Sequence, residues 1–288
     1  MKFEKRNCIF PSQKYNDHYV DDMIAAIKAK EPYSWIRFGD GEIVFLEQEY
    51  VRPVNQIRKS VGWSASTNYC GASIPNIDLR DRMVEALGKS TLVGMFQGDP
   101  PMMKCLEKIN VYPENICYAF DNVFLPMNAY FVNNILLKNK LLFVGRESNF
   151  YKKKFKEVLG VDAVGTVQIN SYADIDKCMD EMCKYEYDVA LVSAGVNANV
   201  ICYEMTKKLN RVFLDMGHAW DNAFHQPPNY KEYWLIPAWQ EGKAYLANEK
   251  VIYNDDLYFN NSGTSITTNP SEDLERWTKE QNLLPVQL

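Results

Sequence analysis

Ser34-Trp35-Ile36-Arg37-Phe38-Gly39-Asp40-Gly41-Glu42 is the stretch from which the fold can be read. Trp35 to Phe38 is a mostly apolar run and predicts a buried strand. The run stops at Gly39, and Gly41 permits a tight turn with no Cβ in the way. Asp40 and Glu42 flank that second glycine. In an extended or turning backbone, residues two apart point to one side. The two carboxylates are therefore expected to share a face at the strand end. Hard carboxylate oxygens suit Mg²⁺ or Mn²⁺, ions that keep waters and complete their shell with substrate phosphates. A helix from Ile43 to about Gln48 would aim its N-terminal amides at the same place. The same residues also fit a plain turn with a capping Asp and a first-turn Glu.

Upstream, Val20, Met23, Ile24 and Ile27 recur at helical spacing within Asp17 to Lys30, and Pro32 ends that helix. Residues 1 to 16 read as an irregular lead-in. Downstream, residues 50 to 75 have no clean period. Their Trp63, Ser64, Ser66, Thr67, Asn68 and Tyr69 read as a loop over a site or as a plain surface loop. The chain then alternates. Helices are predicted over Leu79–Leu87, Met102–Ile109, Asn128–Leu137, Phe150–Leu159, Tyr172–Tyr185 and Val196–Leu209. Apolar strands are predicted over Thr91–Phe96, Ile116–Phe120, Lys140–Gly145, Ala163–Ile169, Asp188–Ser193 and Arg211–Met216. Strands apolar throughout, separated by helices, indicate a mostly parallel sheet covered on both faces. The expected class is thus α/β, a mostly parallel sheet with helices on both faces, over residues 1–226.

Residues 227–288 break the pattern and are rich in Tyr, Trp, Asn and Pro. They are expected to form a C-terminal extension packed on the main domain or on a second subunit, so a homo-oligomer is one expectation. A terminal helix is predicted from Pro270 to Asn282, with Ser271 as its N-cap.

With 288 residues, 47% of them hydrophobic, the chain can bury a large core. Its net charge of −5 argues against long-range steering of nucleic acid. The densest basic run, Lys152 to Lys154 with Lys156, reads as a solvated helix face. Seven scattered cysteines with no Cys-x-x-Cys pair form neither a disulfide framework nor a zinc site, and fit reduced thiols in a cytoplasmic chain. Met1 to Phe10 is charged and lacks an apolar core, so no signal peptide is expected. No apolar run reaches the roughly 18 residues of a membrane span.

In an open α/β sheet, ligands bind beyond the carboxyl ends of the strands. Four unusual segments fall there. Besides Gly39 to Glu42, these are Gly145-Arg146-Glu147-Ser148, Ser193-Ala194-Gly195-Val196-Asn197-Ala198-Asn199, and Asp215-Met216-Gly217-His218-Ala219-Trp220-Asp221. The segment around Gly195, Asn197 and Asn199 has the layout of a phosphate cradle, or of a strand-to-helix turn with an Asn cap. It lacks the dinucleotide and P-loop glycine fingerprints. Arg146 suits a bidentate phosphate contact or a surface ion pair. His218 suits a metal ligand, a base or a structural hydrogen-bonder. His18 and His225 read as structural.

Together these residues resemble the GT-D family of bacterial glycosyltransferases, over about residues 20 to 222. The block Arg37 to Glu42 resembles the family's first mark and contains its Asp-x-Glu metal motif at Asp40 and Glu42. Leu191 to Val200 is similar to its Leu-Gly-Pro-Thr-Ala-Thr-Val segment, with Val196 in place of Pro and Asn197 and Asn199 in place of Thr. Leu214-Asp215-Met216-Gly217-His218 is similar to its Leu-Asp-Ile-Gly-His ending. The Pro and Thr replacements would alter donor contacts, and the extension after residue 227 has no counterpart.

The resemblance implies a Rossmann-like fold, a hexosyltransferase with a UDP-sugar donor, of the UDP-glucose kind, and a Mn²⁺ or Mg²⁺ requirement. It implies a glycan or glycoprotein acceptor. Asp40, Glu42 and His218 would then be catalytic and metal-binding. Arg37, Gly39, Gly41, Arg146, Gly195, Asn197 and Asn199 would bind the donor. The base is left among His218, Asp215 and Asp221. A metal-dependent phosphohydrolase and a non-catalytic nucleotide-sugar-binding protein are the rival expectations.

Overall fold

The computed structural model describes residues 13–96, 98–224, 239–254 and 256–279. Most of the lead-in, His225 and the expected boundary at 226/227 lie outside the described residues. The first helix, α1 (Gln13–Ala29), buries Tyr19, Val20 and Met23. The first strand, β1 (Tyr33–Phe38), is buried along its whole length. Its side chains alternate between two apolar clusters. Tyr33 and Trp35 join one, and Ile36 and Phe38 join the other. A strand whose two sides are both apolar belongs in a sheet covered on both faces. Trp35 is 1% exposed, so Trp35→Ala is expected to cost about 3–5 kcal/mol.

After β1 come α2 (Asp40–Glu47), α3 (Val54–Ser60) and α4 (Ile77–Lys89). Next are β2 (Leu92–Met95), α5 (Pro100–Ile109) and β3 (Ile116–Tyr118). The Asn76 side chain caps α4 by accepting from the Leu79 amide at 3.0 Å. A crossover of short turns follows: α6 (Asp121–Phe124), a 3₁₀ turn (Leu125–Met127), α7 (Ala129–Phe131) and a wide turn (Val132–Leu136). The helix expected over Asn128–Leu137 is thus broken; Leu137 N donates to Val132 O, five residues back. The chain continues with β4 (Leu141–Gly145), α8 (Ser148–Leu159), β5 (Gly165–Val167) and α9 (Ile175–Met182). It closes the domain with β6 (Val189–Ser193), α10 (Asn197–Lys208), β7 (Val212–Asp215) and α11 (Ala219–Phe224).

The seven strands lie in the order β3-β2-β1-β7-β6-β4-β5, and every pairing is parallel. From β1 the sheet grows one way to β3. On the other side of β1 stand β7, β6, β4 and β5. That reversal, between β1 and β7, is where a crevice opens at the carboxyl edge. Trp35 pairs with Leu214 across it. The expected Rossmann-like sheet, with helices on both faces, is the observed architecture.

The C-terminal segment forms a separate antiparallel sheet, ordered β10-β9-β8: β8 (Lys250–Tyr253), β9 (Asp256–Asn260) and β10 (Trp277–Lys279). Tyr245, Val251, Tyr258, Ile266 and Trp277 make its own small core. The helix expected from Pro270 is not formed over the described residues; turns and β10 stand there. Local side-chain bonds explain the difference. Asn269 Oδ1 accepts from the Ser271 amide at 2.8 Å, so the chain turns where a helix would start. The Trp277 indole donates to Thr268 O at 2.9 Å and is buried, which fixes the strand. Among the described residues, no helix is long and apolar enough to cross a membrane. The six described cysteines are free thiols.

Candidate active site

At the carboxyl edge lies a cleft of about 470 Å³. It draws Arg37, Asp40, Gly41 and Glu42 from the end of β1, and Arg146 from the end of β4. Gly195 and Asn197 come from the end of β6, and Gly217, His218 and Asp221 from the end of β7. Four segments far apart in sequence therefore meet in one place. Gly39 and Asn199 do not line the cleft. Asn199 is fully buried, with neither amide atom hydrogen-bonded. Phe120, Tyr151 and Asn170 line it without having been singled out in the sequence. Phe120 and Asn170 follow β3 and β5, so the strand-end rule pointed to them; Tyr151, inside α8, gave no such signal.

Gly39 of the first motif and two glycines from elsewhere make room for a guanidinium. Arg37 shares its side of β1 with Trp35 and is 9% exposed. A Cβ at Gly39 would lie 2.8 Å from Arg37 Nη1. One at Gly217, where φ is +49°, would lie 2.7 Å from Arg37 Nε, and one at Gly94 would lie 3.2 Å from Arg37 Cβ. Three glycines from three strand regions thus shape one slot. Within it, Glu42 and then Asp215 and Asp40 stabilise the guanidinium charge against the opposing effect of burial. Arg37 Nε stands 3.9 Å from Asp215 Oδ2, and neither atom has a hydrogen-bond partner.

The two carboxylates of the motif do not share an extended backbone. Asp40 and Glu42 sit in the first turn of α2, where residues two apart diverge. Glu42 is buried and turns back, its Oε2 accepting from the Gly39 amide at 2.9 Å. Asp40 is exposed, and the Tyr69 hydroxyl donates to its Oδ2 at 3.2 Å. The amides of Asp40 and Gly41 have no carbonyl earlier in the helix to meet, as at any helix start.

The segment after β6 is not an open phosphate cradle. Two of its donors are taken by the protein's own loop. Val196 N donates to Cys70 O at 3.0 Å, and Asn197 Nδ2 donates to Gly71 O at 3.1 Å. Gly195 has φ +58°, and a Cβ there would lie 2.2 Å from Cys70 O. Glycine is needed for that approach as well as for the dihedral.

Titration sorts the candidate bases. Burial pushes Asp215 up to about 7, against the pull of Arg37. Asp215 is 2% exposed, accepts from the Gly217 amide at Oδ1 at 2.9 Å, and does not line the cleft. Asp221 accepts from the Tyr151 hydroxyl. Desolvation in the cleft, then the charge of Arg37, hold His218 below its ordinary value. Its ring meets Phe120 edge-on at 6.0 Å. A neutral imidazole on the cleft wall is competent to take a proton.

Arg146 is exposed and spans toward Asn68 O and Asn170 O, each at 3.4 Å. Among the described residues, no three His, Cys, Asp or Glu side chains are gathered as a metal cage. The donor set instead suits a hard ion that arrives with substrate phosphates, because Mg²⁺ needs only one or two carboxylates from the protein. Asp40 is the exposed one.

The model of the GT-D fold-like domain matches residues 16–223. The chain belongs to the GT-D-like family. The GT-D-like region takes in all seven strands of the parallel sheet and every side chain of the cleft, and stops before the small antiparallel sheet. Two solved structures are similar. One is described as the highly conserved domain of unknown function 1792 with a distinct glycosyltransferase fold; it is 17% identical, with 69% of this chain and 77% of that one covered and a TM-score of 0.43. The other is the selenomethionine-substituted structure of domain of unknown function 1792, at 16% identity, the same coverage and a TM-score of 0.44. Among curated proteins, none matches the chain.

Proposed function

We propose that this GT-D-like chain is a metal-assisted glycosyltransferase. It moves a sugar from a nucleoside-diphosphate sugar, a UDP-sugar, to a hydroxyl of a glycan or glycoconjugate acceptor. The observation that carries the reading is the meeting of Arg37, Asp40, Arg146 and His218 at the topological switch of a GT-D-like sheet. Transfer breaks the bond between the anomeric carbon and the diphosphate oxygen and forms one to the acceptor oxygen. The leaving diphosphate gains charge, and the acceptor hydroxyl loses a proton.

Arg37, held in its glycine slot, and Arg146, on the opposite strand end, place positive charge where that anion develops. His218 takes the acceptor proton. Asp40 would hold Mn²⁺ or Mg²⁺ directly and Glu42 through water, while Glu42 also stabilises the Arg37 charge. The ion, when bound, would neutralise the diphosphate as a Lewis acid. Asp215 stays out of the reaction and braces Arg37 and the Gly217 turn.

The test is a thermal-shift and turnover comparison of UDP and UDP-sugars with Mn²⁺ and with EDTA. A ligand that binds the native state at a hundredfold excess over Kd adds about 2.7 kcal/mol of stability. UDP should stabilise the chain more with Mn²⁺ than with EDTA. Equal shifts would count against a metal-bridged diphosphate. Rapid release of free sugar with no acceptor present would replace transfer by hydrolysis.

A further inference from the structure

Tyr69 is 57% exposed at the cleft, although it is a large aromatic residue on an ordered loop. We propose that its ring is the platform on which the planar base of the nucleotide donor stacks, an inference that rests on the glycosyltransferase reading. Three observations carry it.

The first is the backing of the ring. Tyr69 lies against Trp63 with centroids 4.7 Å apart and planes tilted by 32°. Trp63 in turn lies near-parallel to Phe45, at 6.5 Å and 21°. Phe45 is fully buried in α2. A column of three rings therefore runs from fully buried Phe45 through half-buried Trp63 to exposed Tyr69 at the cleft.

The second is the stiffness of the loop. Ser66 N donates to Trp63 O at 2.9 Å, Asn68 N to Ser66 Oγ at 3.1 Å, and Gly71 N to Thr67 O at 3.0 Å. Cys70 O is tied to Val196 N and Gly71 O to Tyr172 N. The ring is thus held in place before any ligand arrives, and little ordering entropy remains to be lost on stacking.

The third is the position of the ring relative to the phosphate site. Its hydroxyl sits on Asp40 at 3.2 Å. The diphosphate proposed for Asp40 and Arg37 places the nucleoside within reach of the ring next to that carboxylate. Every base has a π-face, so stacking adds affinity without choosing among bases. Choice of base would fall to polar groups such as Asn68 and Asn170 in the same cleft.

The experiment uses the full chain and compares wild type, Tyr69→Phe and Tyr69→Leu. Titration calorimetry measures UDP, ADP, a UDP-sugar and inorganic pyrophosphate, each with Mn²⁺. Loss of a base–aromatic stack should weaken UDP and ADP by about fivefold or more in Tyr69→Leu. Pyrophosphate, which has no base, should bind both variants alike. Tyr69→Phe keeps the ring and loses the hydroxyl, so it should bind UDP as tightly as wild type. Circular dichroism and the urea midpoint confirm that the variants are folded. Wild-type UDP affinity in Tyr69→Leu would overturn the platform and leave the glycosyltransferase reading standing. Equal losses for UDP and pyrophosphate would overturn it in favour of a role through Asp40. A loss confined to the UDP-sugar would move the contact to the sugar ring and overturn the base assignment. If wild type binds neither UDP nor pyrophosphate, the parent reading falls and the platform with it.

Discussion

Asp40→Asn and Glu42→Gln change one charge each, two residues apart, and the structure assigns them opposite consequences. Glu42 is 4% exposed, accepts from the Gly39 amide, and is the foremost charge stabilising buried Arg37. Glutamine keeps an acceptor oxygen but loses the charge. A hydrogen bond to a charged group is worth about 1.5–3 kcal/mol and a neutral one about 1. Removing one partner of a buried ion pair costs about 3–5 kcal/mol when nothing replaces it. Here Asp215 still faces Arg37 at 3.9 Å and glutamine keeps an acceptor worth about 1 kcal/mol, so the Glu42→Gln loss should fall below that range, at about 2 kcal/mol. With a urea slope of about 3 kcal/mol/M, the unfolding midpoint should drop by about 0.7 M. Asp40 is exposed, and its change should stay within about 0.5 kcal/mol. The assay is urea denaturation followed by circular dichroism, run beside UDP thermal shifts with Mn²⁺. Asp40→Asn should abolish the Mn²⁺-dependent part of the shift at unchanged midpoint. A Glu42→Gln midpoint equal to that of wild type would refute the claim that Glu42 is a strut for Gly39 and Arg37.

Gly195→Ala should lose at least about 2 kcal/mol, since left-handed backbone alone costs about 1–2 kcal/mol and the new Cβ meets Cys70 O; a melting curve superposing on wild type would contradict it. Asp215 holds its proton up to about 7 in the native state and releases it from near 3.8 when unfolded. The native state therefore binds the extra proton between those values, and this residue lowers stability as pH rises through that window. The stability of wild type minus that of Asp215→Asn should accordingly fall as pH rises from about 3.8 to about 7, read from urea midpoints. His218→Ala should lower kcat for transfer at least about tenfold, a loss of about 1.4 kcal/mol, at an unchanged melting temperature; a lower melting temperature with wild-type kcat would return His218 to a structural role.

The sheet was legible because its strands are apolar on both sides, a pattern that burial between two helix layers imposes on the residues themselves. Site location followed from topology. Residues at the carboxyl ends of β1, β4, β6 and β7 had to converge, whatever their identities. Side-chain direction was less accessible. Asp40 and Glu42 read as a pair until the helix started at Asp40 and separated them. The covering of the segment after β6 was hidden for a different reason. The groups that cover it are the carbonyls of Cys70 and Gly71, and a backbone carbonyl leaves no mark on residue type. Likewise nothing in the sequence marks the neighbour that packs against Gly39 and Gly217, the Arg37 side chain, which becomes visible only in three dimensions. Helix α3 lay in a stretch without period because Ile57 is its one fully buried side chain. At the other end of the chain, the Asx turn at Asn269 outweighed the capping signal of Ser271.

The outermost strands of the parallel sheet, β3 and β5, have three residues each, against six in β1. Exposed strand edges invite further chains to add on, and very short edges blunt that hazard. A neighbouring molecule would find at either rim too few backbone donors and acceptors to register against. The sheet is therefore self-terminating, and copies of this domain that meet in solution would do so through helical surfaces rather than by extending one another's ladders.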